Sequence, residues 1–152
     1  MRKPENTFIQ GVHKYLPPIH VIHREKMSNP FRRGTWDWWY DGVVDLWVEW
    51  KYVQSPPIRT ALNLQKNYLS PLQVYWGLER EKHGRNVWVG VGCSQGGFWL
   101  THSSEWMNPI NPDSFIKKVV DRKTMADILS KFLLQNELST TIHNVSSNSS
   151  SL

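Results

Sequence analysis

Polar and apolar positions along the chain fall into segments of two different periods. Behind Pro4, which suits a first helical turn, Phe8, Ile9, Val12, Tyr15 and Leu16 recur at helical spacing and predict an amphipathic helix over 4–16. Glu5 falls on or beside that apolar stripe, where it either complements the helix dipole or belongs to a site. Pro17 and Pro18 end the helix, and 19–25 alternates enough to predict a first strand. From Asp45 onward the alternation is sharper. Period-2 geometry sends Asp45, Trp47, Glu49 and Lys51 to one face and Val44, Leu46, Val48 and Trp50 to the other. With 36–40 this makes a hairpin turning around Asp41-Gly42. Ser55-Pro56-Pro57 breaks the second strand, and 58–68 reads as a polar flap or short helix. Ser70-Pro71-Leu72-Gln73 opens a packing helix to about residue 83, with Gln73 placed for a capping box and Gly84 for the left-handed C-cap. Segments 86–92 and 98–101 predict a second hairpin, ending near a packed Cys93. Beyond a linker at 109–112, helices are expected over 113–120 and 125–138, the latter capped by Thr124 with Asp127 three residues on, together closing the sheet's far side.

The order helix, strand, hairpin, helix, hairpin, then C-terminal helices implies an α/β fold: a mixed α+β sheet with helices packed on it, forming a single domain over 1–138. The remainder, 139–152, is rich in Ser and Asn, and is expected to be a disordered tail. Eighteen Lys and Arg against 13 acids give a net charge of +5, which favours an anionic partner such as nucleic acid. One cysteine excludes an internal disulfide framework and a cysteine zinc cluster, and fits a reducing compartment. Without a signal-like segment or an apolar run of membrane length, the expected location is cytoplasmic, with no membrane partner. Nine tryptophans read first as core filling and second as stacking surfaces. His20 and His23, three apart on a strand, point to opposite faces and do not suggest a shared metal.

The chemistry concentrates in 34–53. Burying Asp37 and Glu49 together would raise both pKa values through desolvation and repulsion, whereas a hard cation, Mg²⁺ or Mn²⁺, satisfies carboxylate oxygens at ~2.1 Å. Lys51, on the face of Glu49, could hold a water and offset charge developing on a phosphate. Asp45 is a second candidate only, because four strand residues place it about 13 Å from Glu49.

These residues resemble the motif of the PD-(D/E)xK nuclease superfamily: Gly34-Thr-Trp-Asp37, a hairpin, then Glu49-Trp-Lys51. The helical Glu5 ahead and Leu69-Ser70-Pro71-Leu72-Gln73 behind look like landmarks of its VRR-NUC and Holliday junction resolvase branches, which include short phage junction endonucleases. Trp36 stands where proline is usual. The resemblance implies a restriction-endonuclease-like core, with Asp37, Glu49 and the Trp50 carbonyl holding Mg²⁺ or Mn²⁺ and Lys51 positioning the water. Glu5 would anchor its helix to the site or bind a second metal, and Gln73 would line the site unless its capping role alone explains it. Arg32, Arg33, Arg59 and Lys66 would contact DNA phosphates unless simply solvated. The implied protein is a homodimeric endonuclease for branched DNA, acting in the host cytoplasm if phage-encoded. A nuclease for plain duplex or single strands, and a non-catalytic Trp-rich nucleic-acid-binding module, are the competing readings. One geometric condition applies. A two-residue Asp41-Gly42 turn would pair Asp37 with Leu46, about 10 Å short of Glu49, whereas a looser loop over 41–44, or a bulge, brings Asp37 opposite Glu49.

Overall fold

The strands form one sheet in chain order: β1 (His23–Lys26), β2 (Trp38–Asp41), β3 (Asp45–Tyr52), β4 (Val87–Cys93) and β5 (Gly96–Leu100). Neighbours are antiparallel except β3 and β4, which run parallel because the chain crosses between them through α2 (Leu64–Asn67) and α3 (Pro71–Lys82). The remaining helices are α1 (Pro4–His13), α4 (Ser103–Trp106), α5 (Pro112–Lys118) and α6 (Arg122–Leu133). This computed structural model describes residues 3–27, 31 and 33–135. The expected tail at 139–152, the domain limit at 138 and Arg32 lie outside the described residues. No helix among the described residues is long and apolar enough to cross a membrane.

Helices cover both sides of the sheet, which is why β4 and β5 are buried at every position and read as nearly continuous apolar runs. On one side Phe8, Ile9 and Val12 of α1 and Met125, Ala126, Leu129 and Leu133 of α6 pack on Leu46, Val48 and Trp50. On the other, Trp36, Leu64, Trp106 and Phe115 pack on Val87, Val89, Val91 and Phe98. The two C-terminal helices therefore divide between the faces instead of closing one, since each carries a single apolar stripe. Trp36, Trp50 and Trp106 are among the largest fully buried side chains, which bears out core filling.

Boundaries moved where local bonding overrode periodicity. The first helix stops at His13, short of 16, because Tyr15 and Leu16 donate to Val12 and His13 carbonyls in tighter turns. The strand expected over 19–25 is instead His23–Lys26. Val21 and Ile22 both donate to the Pro18 carbonyl, closing a turn that leaves Ile19 and Val21 exposed and only Ile22 buried. The last helix opens at Asp121, whose carboxylate accepts from the Thr124 N–H, so Thr124 is the third helical residue and not the cap. Asp127 pairs with Lys123 at 3.2 Å.

The hairpin uses the looser loop. Asp41 pairs with Asp45 and Trp38 with Val48, which leaves 42–44 as the connection and carries Asp37 to the position opposite Glu49. Gly42 does not take positive φ, as a tight Asp-Gly turn requires. The loop is instead docked on α6: Val43 and Val44 donate to the Leu133 carbonyl at 2.7 and 3.3 Å. These bonds satisfy a carbonyl that a helix terminus leaves without an intrahelical partner.

Candidate active site

Glu49 is the one buried charged side chain among the described residues, 1% exposed on the side of β3 that faces α3. Burying a carboxylate is costly unless donors surround it, and three do. The Gln73 amide donates to Oε1 at 2.7 Å, the Lys51 ammonium lies 3.2 Å from the same oxygen, and the Asp37 backbone N–H donates to Oε2 at 3.1 Å. The last bond is the structural consequence of the three-residue loop: Asp37 meets Glu49 across the hairpin.

Gln73 serves two roles with one amide. Its oxygen accepts from the Ser70 N–H at 2.9 Å, completing the capping box with Ser70 Oγ, while its nitrogen holds Glu49. Trp36 fixes the same turn of helix, because its indole N–H donates to the Gln73 carbonyl at 2.9 Å. Trp36 thus ties the segment ahead of Asp37 to the start of α3.

Electrostatics group the acids. Desolvation, followed by the nearby Asp37 charge, pushes the Glu49 carboxyl up to about 7 against the opposing pull of Lys51. Glu5, at the start of α1, is also raised, first by burial. Lys51 lowers it and Asp37 raises it, which places Glu5, Asp37 and Lys51 in one electrostatic neighbourhood. Asp45 is elsewhere: exposed, it accepts from the Trp39 indole N–H at 3.1 Å. Arg33, Arg59 and Lys66 are exposed and form no ion pair among the described residues. Cys93 is packed in the core.

The donor set fits a hard cation in part. Three donors to Glu49 leave acceptor capacity on Oε2, the oxygen nearest Asp37 in the hydrogen-bond pattern. The Asp37 carboxylate accepts no hydrogen bond among the described residues. Among those residues no three of His, Cys, Asp and Glu converge closely enough to hold an ion by themselves, so two carboxylates would need help from a carbonyl or water.

The raised Glu49 pKa has a measurable consequence. Its folded value, about 7, lies above the ordinary 4.5, so between those pH values the folded state holds the proton more tightly than the unfolded chain. Stability from this group is present at the acid end and lost as pH rises toward 7, a change on the order of 3 kcal/mol. His13 acts oppositely. Burial and then the Arg24 charge lower it to about 4, so its contribution grows as pH rises from 4 to its ordinary 6.5. The clean measurement is therefore the Tm of the wild type minus that of Glu49→Gln in chelator-containing buffer. This difference should fall by roughly 5–10 °C between acid and neutral pH, and a flat difference would refute the assignment. Adding Mg²⁺ at neutral pH should raise the Tm of the wild type and not of the variant.

No protein-family model matches the sequence, and no curated protein matches it. Among solved structures the chain is similar to Hjc, a Holliday junction resolvase from the archaeal hyperthermophile Archaeoglobus fulgidus. Sequence identity is 14%, the TM-score is 0.50, and the match covers 84% of this chain and 97% of that one. At that identity the likeness is one of fold: a mixed α+β architecture of the resolvase type. It does not reach the VRR-NUC branch.

Proposed function

We propose that the protein is a metal-dependent endonuclease that hydrolyses phosphodiester bonds in DNA, with a preference for branched substrates. The observation that carries this reading is the meeting of Asp37 and Glu49 across the hairpin, with Lys51 on the other oxygen of Glu49. Acid, hairpin, acid-x-lysine is the PD-(D/E)xK pattern, and here it lies on a fold shared with a Holliday junction resolvase.

In this reading the carboxylates of Asp37 and Glu49 and the carbonyl of Trp50 hold Mg²⁺ or Mn²⁺, while Glu5 anchors the first helix beside the site or serves a second metal. The ion, when bound, supplies Lewis acidity and a nucleophile at neutral pH. The chain's own part is preorganisation. Gln73 and the Asp37 N–H fix the Glu49 carboxylate so that it does not rotate away. Lys51, whose side chain is 17% exposed against 1% for Glu49, spans the buried acid and the open side. From there it can orient an attacking water and stabilise the charge that builds on the phosphoryl oxygens. Glu5 brings the first turn of α1 to the same place, with its own proton affinity raised by burial.

Branch preference rests on the fold neighbour, and dimerisation on the need to cut two strands symmetrically. The test is cleavage of a four-way junction and a matched linear duplex with Mg²⁺, Mn²⁺ or chelator. The expected result is divalent-dependent cutting with the junction strongly preferred. Equal cutting of both substrates rejects branch selectivity, and cutting that persists in chelator rejects the metal. No cutting of either leaves a nucleic-acid-binding module.

A further inference from the structure

Between α1 and the edge strand β1 lies an open cleft of about 570 Å³, lined by Gln10, His13 and Lys14 of the helix region, by 24–26 of β1 and by Trp38 of β2. Three cations, Lys14, Arg24 and Lys26, share it with a single acid, Glu25, whose carboxylate is 3.4 Å from His23. None of the three cations forms an ion pair among the described residues. Lys14 sits 5.1 Å from the Tyr15 ring centroid. Arg24 donates through Nη2 to the Pro17 carbonyl at 2.9 Å, while Nη1 is enclosed and lacks an acceptor among the described residues. Nor does His13 supply an anion: its Nε2 is 2.6 Å from the Tyr40 hydroxyl, which also accepts from the Trp50 indole N–H at 3.1 Å. The cleft therefore concentrates positive charge that no ion pair among the described residues neutralises.

The cleft borders Glu5 and the strand segment that follows Asp37. Lys26 pairs with Trp38, the residue after Asp37, and the Lys26 charge acts on Glu5. Lys14, at the C-cap of α1, follows Glu5 by nine positions, about 13 Å of helix. That equals roughly four nucleotide rises along one DNA strand.

We infer that the α1–β1 cleft is a lane for the phosphate backbone of a nucleic acid, with Lys14, Arg24 and Lys26 contacting phosphates that flank the one presented to Asp37 and Glu49. This rests on the nuclease reading for its direction toward the site, though the binding it describes can be measured without cleavage. Three cations lining one open cleft suit a polyanion better than a small ion.

The experiment is anisotropy of a labelled DNA duplex in chelator across a salt series, with wild type, the Lys14→Gln/Arg24→Gln/Lys26→Gln triple variant, and Lys117→Gln on α5 as a single-charge control outside the cleft, to be set against the single variants. Each lost phosphate contact should lower the slope of log affinity against log salt by about 0.9, so the triple variant should lose roughly 2–3 of slope and bind at least ~10-fold more weakly at low salt. Lys117→Gln should change neither by more than its share of long-range charge. If the triple variant does not fold by thermal melt, Lys14→Gln and Lys26→Gln singly, both at exposed positions, should each lower the slope by about 0.9. An unchanged slope overturns the lane, as does Arg24-dependent binding of inorganic phosphate with duplex binding unmoved. The two readings separate cleanly: a lowered slope in a protein that cuts nothing keeps the lane and rejects the nuclease, and normal cutting with an unmoved slope does the reverse.

Discussion

Lys51→Ala should lower single-turnover cleavage by about 10²–10³-fold at saturating divalent ion, the range set by removing one preorganised donor from a developing negative charge. The side chain is the only cation within ion-pairing distance of Glu49 among the described residues. Its loss also removes the attraction that partly offsets burial, so Glu49 should protonate at still higher pH and the residual activity should shift toward alkaline pH. Asp37→Asn makes the comparison decisive. Its carboxylate accepts no hydrogen bond among the described residues, so the amide should leave Tm nearly unchanged while abolishing cutting. Cleavage by Lys51→Ala within a few-fold of wild type, with Asp37→Asn also active, would end the hydrolytic interpretation.

The second large effect is structural. Trp36→Ala should cost about 3–5 kcal/mol, as expected for deleting a fully buried indole, and lower Tm by on the order of 10 °C. The ring rests directly on the backbone of α3: a Cβ placed on Gly77 would come within 2.3 Å of it. Trp76 and Trp106 flank it, with ring centroids at 5.8 and 5.5 Å. Trp36→Phe keeps much of this contact but loses the indole N–H bond to Gln73, so a smaller loss of about 1–2 kcal/mol is expected. Denaturant unfolding measures both. A Trp36→Ala protein destabilised by less than about 1 kcal/mol would show that α3 is held by other contacts.

Much of this arrangement was legible in the residues because the signals were local. Alternation from Asp45 put Leu46, Val48 and Trp50 in the core and Glu49 on the opposite face. The Ser70–Gln73 capping box is present as spelled, and Gly84 takes φ +76 after α3. Three things were not legible, each for a physical reason. Helix α4 has four residues, too few to display a period, and α2, equally short, was legible only as one of two alternatives over 58–68. The strand expected at 19–25 borrowed its pattern from Ile19 and Val21, which a turn leaves in solvent. The cationic cleft draws on α1, β1 and β2, and no single segment announces it. Gln73 is intermediate: its spacing revealed the cap, while its second bond depended on where β3 lies beside the helix.

Choosing between the two hairpin registers required the fold itself. The loop at 42–44 takes its shape from the Leu133 carbonyl, at the far end of the described chain. Contacts of such sequence separation close late in folding, after the local helices and turns. During synthesis, then, the strand carrying Glu49 emerges long before the helix that clamps its register, and a nascent chain should carry every acidic residue of the site without yet having assembled it. Hydrolytic competence in this reading is a property gained near the end of folding, which would spare the cell a half-made nuclease.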